Sequence, residues 1–337
     1  MEAAGKPAWP GRVAVIGGGT MGLGFAEQFA LAGVRVHFVD ATPDLTRRAM
    51  ANLAARVAGH VAAGIIPADA VTRLSLVEAA EDIADAVADA AFVLEAVPET
   101  LDLKRTVLGA CAAGAPDAVI ASNTSSFPID ELATFVATPA RFIGMHWFNP
   151  PEWTPGVEVI PHAGTDPAVT DWVLGFLRAI GKRPVVVGSG PAFVANRIQC
   201  ALFREAAACV EAGLATPAEV DEVVRSTFGF RLPFFGPFQI VDMAGLDVHA
   251  SVFRTLARDL GEEWAVPPIL AREVAAGRLG TKTGAGFYDY TTEERDQLLI
   301  ERDRRYAALA EVLAVLPPVA YGTPHDERER KQGEGTA

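Results

Sequence analysis

The chain has 337 residues, of which 50% are apolar and 21% are charged, and its formal net charge is −13. Its length and apolar content are sufficient for two ordinary domains, and its negative charge disfavours binding to the phosphate backbone of nucleic acids. Neither an apolar run of about 18 residues nor a secretion signal is found, so we expect a cytoplasmic protein without a membrane span.

The first elements predict a βαβ unit. Residues 13–16 form a short apolar run, and a glycine cluster follows directly. A helical pattern over 25–32 ends at Gly33, and residues 34–40 then alternate between apolar and polar side chains as in a strand. The order of strand, glycine turn, helix and strand is that of a βαβ unit.

Short apolar runs continue to alternate with helical segments as far as residue 188. Further strands are predicted over 91–94, 119–121, 142–145, 157–160 and 185–187. Continuous apolar runs separated by helices are typical of a parallel sheet that is covered by helices on both faces.

A Gly-Ser-Gly-Pro segment at 188–191 ends this alternation, and the patterns beyond it are mainly helical. The fold class predicted is α/β: an N-terminal Rossmann-type dinucleotide-binding domain over residues 1–188, followed by an all-α domain over 189–322. We expect residues 1–10 to be flexible and the polar end, 323–337, to be disordered.

The glycine cluster reads G-x-G-x-x-G, with its glycines at Gly17, Gly19 and Gly22. The first glycine of this motif makes a tight turn, the second lets the backbone approach a pyrophosphate, and the third lets the helix pack on the strand. Thr20 and Met21 open the helix, whose N-terminus attracts phosphate groups. Because the motif lies between a predicted strand and a predicted helix, it indicates dinucleotide binding.

Asp40 ends the next predicted strand, roughly 20 residues after the first glycine, where such folds place an acidic residue. Its carboxylate would accept a hydrogen bond from the 2′-hydroxyl of the adenosine ribose and would repel a 2′-phosphate. We therefore expect NAD rather than NADP as the cofactor. The three cysteines share no metal-binding spacing, so we predict no metal site and three buried, reduced thiols.

Further motifs follow one another along the chain: EAVPE at 95–99, SNTSS at 122–126, MHWFNP at 145–150, PAFVANR at 191–197, GPF at 236–238 and KTGAGFY at 282–288. In these segments, and in the same order, the chain resembles the 3-hydroxyacyl-CoA dehydrogenase family over about residues 12–290. The resemblance implies a Rossmann domain, a helical domain that forms a homodimer, and NAD-dependent oxidation of a 3-hydroxyacyl-CoA or related 3-hydroxy acid.

The resemblance also implies the catalytic residues. His146 matches the proton-transferring histidine of the family, and Glu158, twelve residues later, matches its carboxylate partner. The pairing agrees with chemistry, because imidazole titrates near neutral pH and a carboxylate on one ring nitrogen fixes the tautomer and orientation of the ring. Ser125 and Asn196 match the residues that bind and polarise the reacting oxygen.

Three further residues match cofactor contacts of the family. Glu99 and Lys104 match positions on the nicotinamide ribose side of NAD, although a solvated pair at a helix start is the alternative for these two. Ser125 also belongs to this cofactor set, and Lys282 matches another contact.

The sequence departs from the family pattern in the substrate region. The acyl-CoA enzymes commonly carry a lysine between the histidine motif and the glutamate, whereas residues 151–157 contain none. Residues 41–80 also lack lysine, and a CoA site needs cations for its phosphates. These departures resemble relatives that act on free hydroxy acids, such as the carnitine and gulonate dehydrogenases.

Two alternatives to an NAD-dependent dehydrogenase of this family remain. One is a non-catalytic NAD-binding protein like the lens crystallin of the family, which the presence of all four catalytic residues argues against. The other is the β-hydroxyacid dehydrogenase family, which relies on a lysine early in its helical domain. Residues 196–199 contain no lysine.

Overall fold

The computed structural model describes residues 11–317. The ends predicted to be flexible or disordered, 1–10 and 323–337, lie outside the described residues. The chain forms two compact units that divide between Leu202 and Phe203. This division lies inside a helix, beyond the linker at 188–191 where the sequence places the domain boundary.

The first unit alternates strands and helices. Its strands are β1 Val13–Ile16, β2 Val36–Val39, β3 Val77–Ala79, β4 Phe92–Glu95, β5 Val119–Ser122, β6 Phe142–Trp147, β7 Gly156–Ile160 and β8 Arg183–Val186. Its helices are α1 Thr20–Leu31, α2 Pro43–Ala62, α3 Ala70–Arg73, α4 Ile83–Val87, α5 Leu101–Gly114, α6 Ile129–Ala133 and α7 Pro167–Ala179, and α8 Ala195–Glu211 continues into the second unit.

The eight strands form one sheet in the order β3-β2-β1-β4-β5-β6-β7-β8. The order is that of a Rossmann-type domain, and the sheet is mainly parallel, as predicted, with one antiparallel pair. Strand β7 pairs antiparallel with β6, and β8 runs parallel to β7. Residues 148–155 connect β6 to β7 without a helix, and without a crossover helix consecutive strands pair in the antiparallel direction.

Both faces of the sheet are covered, as the apolar runs predict. One face packs on α1, α2 and α7, and the other on α4, α5 and α6. Strand β3 escaped sequence prediction because it has only three residues and two of them are exposed, so it lacks a continuous apolar run.

The described part of the second unit is helical. It contains α9 Pro217–Ser226, α10 Phe228–Arg231, α11 Pro237–Ala244, α12 Leu246–Leu260, α13 Pro268–Ala275 and α14 Thr292–Val315. Asp242 is fully buried and accepts hydrogen bonds from the backbone of Phe287 and Tyr288 and from the hydroxyl of Tyr290. This carboxylate therefore ties α11 to the turn over 280–290.

The expectation of three buried cysteines holds only in part. Cys111 lies in the sheet core, where burial raises the pKa of its thiol to about 12. Cys209 is half-buried, but Cys200 is exposed on α8. Within residues 11–317, no three potential metal ligands cluster together and no helix is both long and apolar enough to cross a membrane.

Candidate active site

The glycine loop connects β1 to α1 and is shaped by close backbone contacts. Gly17 has a φ of +115°, and a side chain there would meet the carbonyl oxygen of Ala96 at 2.6 Å. A Cβ on Gly22 would lie 1.8 Å from the carbonyl oxygen of Gly17, whereas one on Gly19 would meet nothing within 4 Å. The first and third glycines thus close the turn, and the second borders open space.

The start of α1 fits the pyrophosphate of a dinucleotide. Gly19 is the N-cap residue, and no side chain caps the helix there. The N–H groups in the first turn of α1 are therefore available to an anion, together with the partial positive charge at the N-terminus of the helix. Thr20 and Met21 are the first two residues of this helix, where the sequence places them.

Asp40 follows β2 and lies beside the glycine loop. Its Oδ1 accepts a hydrogen bond from the backbone of Ala41 at 2.8 Å, and its Oδ2 would lie 2.5 Å from a Cβ on Gly18. The carboxylate is partly exposed. This placement, with Oδ2 next to the loop, fits acceptance of a ribose hydroxyl.

His146 and Glu158 face each other across the antiparallel pair β6–β7. They are register partners, and the Nδ1 of His146 lies 2.8 Å from Oε2 of Glu158. Both residues are buried, at 4% and 6% exposure. Met145 and Trp147 point to the opposite face of the sheet, because successive side chains alternate along a strand. The Glu158 bond to Nδ1 leaves Nε2 as the ring nitrogen for proton exchange with a substrate.

The second oxygen of Glu158 binds the start of α8. Its Oε1 accepts hydrogen bonds from the backbone N–H groups of Val194 and Ala195, at 3.0 and 2.9 Å. Two residues with positive φ precede these groups, Ala192 at 58° and Phe193 at 53°. The ring of Phe193 packs 5.5 Å from that of His146. The turn over residues 192–195 therefore orients the carboxylate of Glu158, and its Phe193 ring packs against His146.

Ala192 lies in the left-handed region of backbone conformation, which favours glycine. A non-glycine residue in the left-handed region costs about 1–2 kcal/mol. We expect Ala192→Gly to raise the free energy of unfolding by about 1 kcal/mol, because relief of this strain outweighs the added freedom of the unfolded chain. Urea unfolding measures the change. Ala51→Gly, at an exposed position inside α2, is the control and should lower the free energy of unfolding by about 1 kcal/mol. Stabilisation of both variants would contradict the assignment of strain to Ala192.

The turn after β5 brings Ser125 to the same edge of the sheet. Its neighbour Asn123 accepts a hydrogen bond from the backbone of Trp147 at 3.0 Å, which joins the ends of β5 and β6. Ser125 is half-buried at this edge. Asn196 is the second residue of α8 and directly follows Ala195, which binds Glu158. All four predicted catalytic residues therefore lie on elements that converge near the His146–Glu158 pair.

Glu99 and Lys104 lie next to this turn and contact each other; Glu99 is exposed as the solvated alternative expects, whereas Lys104 is buried. Lys104 is only 1% exposed, and its Nζ contacts Glu95 at 2.8 Å and Glu99 at 3.2 Å. Glu99 accepts hydrogen bonds from the backbone of Ser125 and Ser126, each at 3.0 Å. Burial alone would raise the pKa of Glu99, but hydrogen bonds from Thr124 and Ser126 and the charge of Lys104 lower it.

Lys282 belongs to the second unit. Its ammonium group pairs with Asp247 at the start of α12. The predicted contact of Lys282 with the cofactor therefore stays a prediction.

The segment after β6 is held by charged residues on the opposite face of the sheet. Arg56, on α2, contacts the fully buried Glu27 at 2.7 Å and lies 3.8 Å from Glu152. Lys182 donates to the carbonyl oxygens of Pro151 and Thr154, at 2.6 and 3.2 Å. Arg56 and Lys182 are thus engaged inside the first unit.

Sequence reasoning missed the roles of Glu95, of Asn123 and of the backbone at 194–195. Glu95 is an acidic residue that ends a buried strand and is itself fully buried. A charge at the end of an apolar run was the available signal for Glu95. No sequence signal marks a backbone N–H that binds a carboxylate from a distant strand.

Comparison with known proteins covers both units. The model described as 3-hydroxyacyl-CoA dehydrogenase, NAD binding domain, matches residues 12–190, and the model of the C-terminal domain of the same family matches residues 193–290.

Individual relatives cover most of the chain. It is 37% identical over 307 residues to the 5-formyl-3-hydroxy-2-methylpyridine 4-carboxylate 5-dehydrogenase of Mesorhizobium japonicum, covering 89% of this chain and 97% of the relative. It is 36% identical over 282 residues to the 3-hydroxybutyryl-CoA dehydrogenase of Bradyrhizobium diazoefficiens, covering 83% of this chain and 95% of the relative. The crystal structure of a 3-hydroxyacyl-CoA dehydrogenase from Archaeoglobus fulgidus matches with a TM-score of 0.75 and 31% identity, covering 90% of this chain and 99% of that one.

Proposed function

This chain belongs to the 3-hydroxyacyl-CoA dehydrogenase family, whose members are NAD-dependent oxidoreductases, and we propose that it reversibly oxidises the hydroxyl group of a small hydroxy acid with His146 as the proton acceptor. The observation that carries the proposal is the buried His146–Glu158 pair, with its 2.8 Å contact to Nδ1. Bound NAD would supply the hydride acceptor.

The proton chemistry follows from the geometry of the pair. Glu158 accepts a hydrogen bond from Nδ1–H, so Nε2 is the basic nitrogen and takes the hydroxyl proton as the carbon–oxygen double bond forms. The carboxylate then stabilises the imidazolium. In the reverse direction, the same nitrogen returns the proton to the carbonyl oxygen. Ser125 and Asn196 would bind and polarise that oxygen, and Glu99 holds the turn that carries Ser125.

The charges of the first unit favour a free acid over a CoA thioester as substrate. A CoA site needs cations for its phosphates. Arg56 is bound to Glu27, Arg47 pairs with Asp44, and Arg73 pairs with Asp69. Residues 41–80 hold four arginines and no lysine, and three of these arginines have carboxylate partners. The pyridine carboxylate dehydrogenase to which the chain is similar is named for a free carboxylate, which supports the same choice.

A substrate panel tests this choice. We expect free hydroxy acids, including L-carnitine, to give higher kcat/KM than 3-hydroxybutyryl-CoA when NADH absorbance is followed. Arg47→Gln and Arg48→Gln should leave turnover of the free acids unchanged. A thioester with the higher kcat/KM, whose KM rises in these variants at nearly constant kcat, would reverse the assignment.

We also propose a homodimer that covers α8. None of the residues of α8 is buried in the single chain, and Ile198, Leu202 and Phe203 are exposed to 56%, 41% and 74%. An apolar helix face of this kind is typical of a subunit interface. Light scattering at micromolar concentration should give about twice the 35.6 kDa of one chain.

Phe203→Glu is expected to shift this dimer towards single chains, because a charge would replace a buried ring at the interface. Ile65→Glu, at an apolar residue of the first unit that is 55% exposed, should leave the mass unchanged. A wild-type mass of 35.6 kDa alone would remove the proposal.

A further inference from the structure

Three charged side chains form a cluster at the carboxyl ends of β4 and β5, in which Glu95 and Lys104 are buried and Glu99 is exposed. Lys104 donates to both oxygens of Glu95, at 2.8 and 3.0 Å, and lies 3.2 Å from Oε2 of Glu99. Glu95 and Lys104 are 0% and 1% exposed. Glu95 also accepts hydrogen bonds from the backbone of Val97 and from the hydroxyl of Ser122. Glu95 is therefore the fully desolvated centre of the cluster.

Buried ions need complete partnering, since removal of one member leaves an uncompensated charge. In this cluster, Lys104 bridges two carboxylates, and the two oxygens of Glu99 bind different groups. Oε2 contacts Lys104, whereas Oε1 accepts hydrogen bonds from the side chains of Thr124 and Ser126 and from the backbone of Ser125 and Ser126. One oxygen of Glu99 thus binds all three residues of the turn over 124–126, in addition to the hydrogen bonds that Thr124 Oγ1 accepts from the backbone of Ser126 and Phe127.

We propose that Glu95 is a positioning residue, which acts through Lys104 and Glu99 to fix the turn that carries Ser125. Glu95 binds most of the ammonium group, so Lys104 contacts only Oε2 of Glu99 and leaves Oε1 to the turn. The same arrangement makes Lys104 an internal bridge, with its ammonium group between two carboxylates and the carbonyl oxygen of Val97. The last step, from the turn to the reacting oxygen, rests on the proposed function of Ser125.

Glu95→Gln removes the negative charge of Glu95 and keeps nearly the same side-chain shape. The amide oxygen can still accept from Val97, but Lys104 is left with Glu99 as its only anionic partner in the cluster. Glu99 is then drawn towards Lys104, and Oε1 releases the backbone N–H groups of Ser125 and Ser126.

Hydrogen exchange followed by mass spectrometry tests the structural part without any substrate. In Glu95→Gln, we expect the peptide containing residues 124–127 to exchange at least ~10-fold faster, because a hydrogen bond to a charged group is worth about 1.5–3 kcal/mol. Asp102→Asn, which removes an exposed ion pair with Arg105 on the same helix, is the matched control and should leave this peptide unchanged. If Glu95→Gln does not fold, Glu95→Asp, which keeps the charge but retracts it, is measured instead, with faster exchange expected. Unchanged exchange in the folded variant would overturn the proposal.

A double-mutant cycle tests the functional part, with L-carnitine and 3-hydroxybutyryl-CoA as probes. If Glu95 acts through Ser125, Ser125→Ala should lower kcat several-fold less in the Glu95→Gln background than in the wild type. Equal effects in both backgrounds would show that Glu95 does not act through Ser125. If Ser125→Ala alone leaves kcat unchanged, the proposed function of Ser125 fails, while the exchange experiment still decides whether Glu95 positions the turn.

Discussion

Replacement of His146 by Gln is expected to lower kcat by at least ~10²-fold, since general acid–base catalysis contributes about 10²–10⁴-fold. Gln cannot take up the hydroxyl proton, but it fills much of the same volume between Phe148 and Phe193, so the fold should be retained. Steady-state kinetics with the best substrate of the panel measure the loss.

NADH binding provides the control for this variant. The glycine loop lies at the end of β1 and makes no use of His146, so the Kd for NADH, measured by fluorescence, should stay within a few-fold of wild type. Glu158→Gln should also lower kcat, because it removes the charge that stabilises the imidazolium. Near-wild-type kcat in a folded His146→Gln variant that binds NADH normally would refute the mechanism.

Replacement of Asp40 by Ala is expected to have the second largest effect, on cofactor choice. A hydrogen bond to a charged group is worth about 1.5–3 kcal/mol, so kcat/KM for NAD should fall about 10- to 100-fold. The kcat/KM for NADP should rise, because the carboxylate that repels a 2′-phosphate is gone. The ratio of the two values, measured at one ionic strength, gives the change in preference.

Asp44→Asn is the matched control for Asp40, since it removes a nearby carboxylate whose partner is the exposed Arg47. This variant should keep the wild-type preference for NAD. Equal kcat/KM with NAD and NADP in the wild type would exclude the role assigned to Asp40.

The cofactor half of the site could be predicted from the sequence because its parts are local. Strand, glycine turn, helix and Asp40 lie within about 30 residues, the length of a βαβ unit. Gly17 and Gly22 can be recognised from their spacing, since only glycine fits a turn with φ of +115° or a contact of 1.8 Å with a backbone oxygen.

The environment of the catalytic pair was less predictable. The resemblance to the family identified His146 and Glu158 as a pair. The antiparallel pairing of β6 and β7, which makes them register partners, was not expected from the sequence. Apolar periodicity reports which residues are buried and not the direction in which neighbouring strands run. The hydrogen bonds from residues 194–195 to Glu158 depend on that pairing as well.

The sequence by itself determined the class of fold, the dinucleotide loop, the acidic residue after β2 and the residue types available for proton transfer. Tertiary structure alone decided that Lys104 is enclosed by Glu95 and Glu99, that Arg56 is committed to Glu27, and that Ala192 has a positive φ. The physical reason is that burial and ion pairing depend on contacts between segments distant along the chain. Propensity, periodicity and motif spacing describe only neighbours along it.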